Sequence, residues 1–239
     1  IKEILRDPIN LFFGLGFPLV LLALLSIINS AIPPEAKNPM FQINNLAPGL
    51  TMFGSVFMAL FAGMLLSKDR TSSFLMRLFT SPMTAADFIL GYTLPMIVMT
   101  IVQATITLLV AGFLGLDINI NILFAIMMTA LTSLFFVGTG LFFGSILNDK
   151  AVGGVCGALL TNIAGWLSGV FIPIDLIGGV FKTITNILPF YHSTEAIKIS
   201  LSGDFRQIFP HLVVVTGYTI VIFTLAIIAF NRKMNGEKS

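Results

Sequence analysis

His192 and Glu195 lie three residues apart, in a segment that begins at Pro189. An imidazole and a carboxylate are both ordinary metal ligands, so this pair could contribute to a metal site. The plainer interpretation is an interfacial turn that leads into a short helix, with Tyr191 at the level of the lipid headgroups. We therefore expect no metal site here.

Two familiar catalytic patterns are absent from the sequence. It contains no phosphate-binding loop of the form G-x-x-x-x-G-K-[ST] and no H-E-x-x-H zinc motif. We therefore expect no catalytic residues, no cofactor bound by this chain and no enzymatic activity of its own. If the chain moves a solute uphill, another subunit must supply the energy. A sodium-coupled mechanism that uses backbone carbonyls and hydroxyls remains an alternative.

The segment Ser67–Asp87 carries an apolar face at helical spacing, formed by Phe74, Leu75, Leu78 and Phe79. Pro82 ends this predicted amphipathic helix, and Thr84 with Asp87 forms an N-cap for the helix that follows. One interpretation is a helix that rests on lipid headgroups. The other is a helix that docks a cytoplasmic partner.

Two apolar runs carry further candidate functional residues. In one run, small residues recur at every fourth position: Gly153, Gly157, Thr161, Gly165 and Gly169. Such a stripe lets helix backbones approach closely, either within one chain or toward a second copy or a substrate path. An earlier run combines hydroxyls with adaptable apolar side chains, including Thr51, Ser55 and Phe57. These side chains suit varied apolar ligands, and also lipid-facing or core packing.

The composition is that of a membrane protein. Hydrophobic residues make up 56% of the 239 residues and charged residues 10%, whereas soluble domains carry roughly 25% charged residues. A net charge of +2 gives no reason to expect a nucleic-acid partner. The single cysteine, Cys156, excludes an internal disulfide.

Six apolar runs are long enough to cross a bilayer as helices. They are Ile9–Asn29, Pro48–Leu66, Phe88–Leu114, Ile118–Leu147, Ala151–Ile172 and Ile208–Phe230. The sequence therefore predicts an all-α integral membrane protein, with residues 1–239 forming one transmembrane domain.

The distribution of Lys and Arg predicts the orientation. Nine of the 13 lie in one set of connections: Lys2, Arg6, Lys68, Arg70, Arg77, Lys150, Arg232, Lys233 and Lys238. The positive-inside rule places this set in the cytoplasm. With six spans, both termini of a multi-pass plasma-membrane protein are then cytoplasmic.

Two segments are predicted to lie along the membrane. Ile1–Pro8 has the mixed character of an interfacial amphipathic helix. The outer segment Pro173–Gln207 is interrupted at Pro189, and its pieces Ile174–Leu188 and Ser193–Leu201 are too short or too polar to span. They are predicted to be re-entrant helices that dip into the outer leaflet. An ordinary surface loop is the alternative.

The sequence resembles the type-2 ABC transporter permeases over essentially its whole length. The resemblance is carried by Arg6-Asp7-Pro8, Asp69-Arg70, Leu78-Phe79-Thr80-Ser81-Pro82, Gly91 and the run from Leu188 to Ile197. The order and spacing of these motifs across six spans make the match, since no single motif is specific. One departure is that Asp69-Arg70 is followed by Ser72-Ser73, where many relatives have Glu-Arg and then Gly-Thr. The register of the predicted amphipathic helix around Phe74–Phe79 relative to the family pattern is therefore open.

The resemblance implies that two copies of this chain form a homodimer in the lipid bilayer. It also implies a separate ATP-binding-cassette ATPase that holds ATP and Mg²⁺. It implies that a cytoplasmic coupling helix contacts the ATPase through Asp69, Arg70, Phe74, Leu75, Arg77, Leu78 and Phe79. It also implies that the second and fifth spans line the path between protomers, at Thr51, Ser55, Phe57, Gly153, Gly157, Thr161, Gly165 and Gly169.

The function so implied is that of the permease subunit of an ATP-driven exporter. The expected cargo is an amphipathic or lipophilic compound, such as a drug, an antibiotic or a small peptide, as in multidrug efflux. Export of a polysaccharide or a lipid is the alternative within the family, because a fold does not select a cargo. A secondary transporter is the rival class, and it would need internal repeats that the sequence does not show.

Overall fold

The computed structural model describes residues 12–33, 41–70, 83–172 and 174–236. These residues form helices, numbered here in chain order: α1 (Phe12–Ala31), α2 (Ile43–Arg70), α3 (Ala85–Phe113), α4 (Asn121–Ile146), α5 (Asp149–Leu167), α6 (Ile174–Ile177), α7 (Gly179–Ile187), α8 (Pro189–Ser202) and α9 (Ile208–Gly236). Six of them, α1 to α5 and α9, are long and apolar enough to cross a membrane. The predicted all-α membrane protein with six spans is confirmed.

The bounds of all six spans differ from those predicted, and the differences at α2 and α5 affect candidate functional residues. α2 runs to Arg70 rather than ending at Leu66, because basic side chains in a last turn suit the negative end of the helix dipole. α5 ends at Leu167 rather than Ile172, and Gly169 follows in a left-handed turn with φ +77°. Gly169 therefore lies outside the helix that carries the rest of the small-residue stripe.

The core of the bundle is built around α2. In its most apolar window 83% of the residues are buried, against 56% or less in the other candidate spans. α2 packs against α1, α3, α4, α5 and α8. The outer faces of α3 and α9 expose large apolar side chains, which suits contact with lipid.

The closest helix crossing joins α2 to α4. A Cβ added to Gly63 would lie 2.6 Å from the carbonyl oxygen of Gly140, and one added to Gly144 would lie 2.5 Å from the carbonyl oxygen of Gly63. A Cβ on Gly140 would overlap the carbonyl group of Ala59. Glycine is required here because the two backbones are in direct contact.

The segment between α5 and α9 contains three helices, α6 to α8. Pro189 occupies the first turn of α8, where its missing N–H costs nothing, and Gly203 ends the helix with φ +81°. α8 packs against α2, α4 and α9, and its Phe190 ring lies 5.8 Å from that of Phe135 in α4. Short helices are thus confirmed over an ordinary loop. Their depth in the outer leaflet stays a prediction.

The predicted N-cap of α3 is confirmed. The backbone N–H of Thr84 donates to the Asp87 carboxylate at 2.8 Å, and the Asp87 N–H donates to the Thr84 hydroxyl at 3.3 Å. The predicted interfacial helix at Ile1–Pro8 and the predicted amphipathic helix around Phe74–Phe79 lie outside the described residues.

Candidate functional site

The charged end of α2 is hydrogen-bonded to the end of α4. The Arg70 guanidinium donates to the carbonyl oxygens of Ser145 and Leu147, with 3.0 Å between Nη2 and the Leu147 oxygen. The Ser67 hydroxyl donates to the same Leu147 oxygen at 2.9 Å. The last carbonyls of a helix have no partner within it and carry partial negative charge, so a buried cation stabilises them. We call these four residues the α2–α4 latch.

Asp69 makes the corresponding connection to α3. The Tyr92 hydroxyl donates to the Asp69 carboxylate at 2.7 Å. Asp69 and Arg70 therefore fix the end of α2 to two neighbouring spans, immediately before segment 71–82. Their predicted contact with an ATPase stays a prediction. The other predicted coupling residues lie outside the described residues: Phe74, Leu75, Arg77, Leu78 and Phe79.

The candidate residues of α2 are buried within the chain. Thr51 and Ser55 are fully buried, and the Thr51 hydroxyl donates to the Ala47 carbonyl at 2.7 Å. Phe57 belongs to an aromatic cluster with Phe53, 5.6 Å away between ring centroids, and with Phe13 and Phe17 of α1. In this conformation these side chains form the interior of one protomer. Their predicted place on a path between protomers is untested.

The stripe on α5 divides into an open part and a covered part. Space is open at Gly153 and also at the adjacent Gly154. A Cβ at Gly157 would lie 3.4 Å from Leu60 of α2, and one at Gly165 would lie 3.4 Å from Phe171. The Thr161 hydroxyl, between them, donates to the Cys156 carbonyl at 3.1 Å. The stripe therefore faces α2 at Gly157, the residue Phe171 beyond α5 at Gly165, and free space at its beginning.

Gly153–Leu160 of α5 is a π-helix. Such widened turns are rare and frequently mark functional positions in helices. The apolar pattern of the sequence gives no sign of this π-helix, because its 8 residues are too few to distinguish the period of a π-helix from that of an α-helix.

A buried polar contact between α2 and α3 was missed by the sequence reasoning. Gln103 is fully buried against Gly54, where an added Cβ would displace the Gln103 amide group. Its amide donates to Thr107 at 3.0 Å, while its oxygen has no hydrogen-bond partner. The Ser55 hydroxyl also has none. The available signal was a lone glutamine in an apolar run, since polar groups in the membrane are costly and mark function.

The two histidines of the chain form a second unpredicted pair. His192 Nδ1 lies 2.8 Å from His211 Nδ1, and His192 Nε2 lies 2.8 Å from the Asn186 carbonyl oxygen. A carbonyl oxygen only accepts, so the His192 Nε2–H donates to Asn186, while the direction of the contact between the two Nδ1 atoms depends on the tautomers.

Glu195 instead pairs with Lys198, at 3.8 Å between Nζ and Oε1. His192 and Glu195 thus serve different contacts. In the described part of the chain, no group of three or more His, Cys, Asp or Glu could hold a metal ion.

The comparisons with known proteins agree with this architecture. The family model of the ABC-2 type transporter matches residues 1–202, so the chain belongs to the ABC-2 type transporter family. Nodulation protein J of Rhizobium meliloti (strain 1021) is 26% identical to it over 126 residues, which cover 52% of this chain and 48% of that protein. The match thus spans about half the length of that relative. No solved structure shows a significant match.

Proposed function

We propose that this chain is the permease subunit of an ATP-driven exporter in a plasma membrane, with both termini in the cytoplasm. A separate ATPase subunit holds ATP and Mg²⁺, and two permease copies enclose the transport path. The observation that carries this proposal is the α2–α4 latch, which stands directly before the predicted coupling segment in a chain of the ABC-2 type transporter family.

The latch supplies a mechanical route from a docked ATPase to the spans. A force on segment 71–82 acts first on Arg70, which is hydrogen-bonded to the end of α4. α2 and α4 also touch through their backbones at Gly63 and Gly144, so they move as one body. The Asp69–Tyr92 hydrogen bond couples α3 to the same motion. Packed helices transmit such motion because close-packed interfaces do not deform continuously.

The cargo proposed is an amphipathic or lipophilic compound. The support is the apolar and aromatic character of α2, in which the Phe53 and Phe57 rings meet edge to face and Met58 belongs to the same core cluster. Such side chains accommodate varied apolar ligands. Many buried hydroxyls of the spans donate to carbonyls of their own helices, which leaves few of them to hold a hydroxyl-rich chain. Uptake of a labelled polysaccharide in preference to lipophilic dyes would assign the other cargo class.

The direct test is co-purification of an ATP-binding-cassette ATPase with the tagged chain. Phe74→Asp or Leu78→Asp should abolish it, because an unpaired charge buried at a contact costs several kcal/mol. Ser73→Asp, on the polar side of the predicted helix, is the matched control and should leave the complex intact. Quantitative mass spectrometry measures the amount of ATPase recovered. Equal recovery with all three variants would show that segment 71–82 does not contact the ATPase.

A further inference from the structure

A cleft of about 570 Å³ opens between α4 and α9, beside the α2–α4 latch. Five of its lining residues are apolar and two are cationic: Phe142, Ile146, Leu225, Ile228, Ala229, Arg232 and Lys233. Arg232 and Lys233 lie in the last turns of α9, so both cationic side chains are at one end of the cleft.

The walls of this cleft suit an acyl chain. Ile146, Leu225 and Ile228 are each more than 40% exposed although they lie on membrane-spanning helices. Apolar surface of this kind is stable only against hydrocarbon. A free phosphate ion has no part that would occupy these walls.

The rim of the cleft suits an anionic headgroup. Arg232 and Lys233 are both exposed, and none of the seven lining residues is acidic. Arginine binds phosphate oxygens through a planar fork of donors, and lysine adds a second point charge. Basic pockets between membrane helices on the cytoplasmic side select acidic lipid headgroups for this reason.

We propose that the cleft between α4 and α9 binds an anionic phospholipid, with an acyl chain against Leu225 and Ile228 and the phosphate between Arg232 and Lys233. The proposed orientation of the chain would place this lipid in the cytoplasmic leaflet. The site itself does not depend on that orientation. Because Ile146 directly follows the latch residue Ser145, a bound lipid would support the end of α4 from the side opposite α2.

The test uses a tryptophan reporter in the cleft. Trp166 is the single tryptophan, so Trp166→Phe gives a silent background for Ile228→Trp. The full chain is reconstituted in phosphatidylcholine vesicles that contain increasing fractions of brominated phosphatidylglycerol, which quenches nearby tryptophan. Brominated phosphatidylcholine is the neutral reference. We expect roughly fivefold tighter binding of phosphatidylglycerol at this reporter, as expected for even one effective cation near a headgroup.

Two variants define the site. Arg232→Gln combined with Lys233→Gln should reduce the preference to about one, because the apolar walls do not distinguish the headgroups. Leu90→Trp, on the exposed face of α3 near the same membrane surface, should show no preference. Leu225→Trp serves as a second cleft reporter if Ile228→Trp does not insert.

Equal quenching by both lipids at the two cleft reporters would overturn the proposal. So would a preference that survives the double glutamine variant, or one that is equally strong at Leu90→Trp. The vesicles expose the lipid on both faces and contain no ATPase, so the result depends on neither orientation nor transport. Failure of the ATPase co-purification would leave this lipid site standing, and failure here would leave the permease function standing.

Discussion

At the residue scale, Arg70 joins helices that are far apart in sequence. Arg70 is 9% exposed, and its guanidinium donates to the carbonyl oxygens of Ser145 and Leu147. Hydrogen bonds to a charged group contribute more than neutral ones, and truncation would leave both carbonyls without that donor. Arg70 therefore contributes to stability and to the connection between spans.

Arg70→Ala should lower the stability of the purified protein by about 2 kcal/mol, the typical value of a charged hydrogen bond. It should also uncouple ATP hydrolysis from transport when the ATPase is present. Lys150→Ala, which removes an exposed cation near the same end, should change neither property. The measurements are the thermal unfolding midpoint in detergent and the ratio of transport to hydrolysis. Indistinguishable results for the two variants would mean that the latch has no role.

The sequence could show that charged residues follow the second apolar run, but not that α2 continues through them or where they bind. Asp69 and Arg70 follow an apolar run, which is enough to place them at a membrane surface. Their partners, Tyr92 and the end of α4, are defined only by how the spans pack. The same holds for His192 and His211, which meet because α8 folds back onto α9.

At the element scale, the α2–α4 crossing depends on glycine. Gly140→Ala should destabilise the protein by roughly 1–3 kcal/mol or prevent folding, because the new methyl group overlaps the Ala59 carbonyl. Gly153→Ala, at an open position on α5, is the control and should be tolerated. Fluorescence-detected size-exclusion chromatography after heating compares them. Equal thermal stability of the two variants would contradict the crossing.

The open part of α5 tests the proposed dimer. In a Cys156→Ser background, Gly154→Cys should form a disulfide-linked dimer in membranes, because space is open at Gly154 on the exposed side of α5. Gly217→Cys, at an equally open position on α9, should not. Non-reducing gel electrophoresis after mild oxidation gives the result. Cross-linking at Gly217 alone would place the protomer contact on α9 instead.

The sequence predicted the number of membrane spans, but it did not predict which two helices make the closest backbone contact. Length and hydropathy define each span, so six spans follow from the six long apolar runs in the sequence. Gly140 and Gly144 of α4 form a shorter small-residue stripe than the one on α5, yet they make the closest contact between helix backbones. A stripe shows that close approach is permitted, and only packing shows which helix uses it.

At the scale of the whole molecule, the proposed orientation places the latch at the cytoplasmic side. It is derived from nine of the 13 Lys and Arg residues, which the sequence assigns to one side of the membrane. In the Cys156→Ser background, cysteines at Lys150 or Arg232 should resist a membrane-impermeant maleimide in intact cells, while cysteines at Lys182 or Arg206 should react. Permeabilised cells provide the control, since all four should then be labelled. The reverse pattern would place the latch outside and separate it from any ATPase.

The central claim is that this chain transports by using ATP hydrolysed on another subunit, and vesicle transport tests it most directly. Inside-out vesicles containing the purified chain, with and without the co-purifying ATPase, are supplied with MgATP and a lipophilic fluorescent dye. We predict that the chain alone hydrolyses no ATP and accumulates no dye, and that the two subunits together do both. ATP hydrolysis by the isolated chain, or dye uptake that follows an ion gradient without the ATPase, would contradict the account.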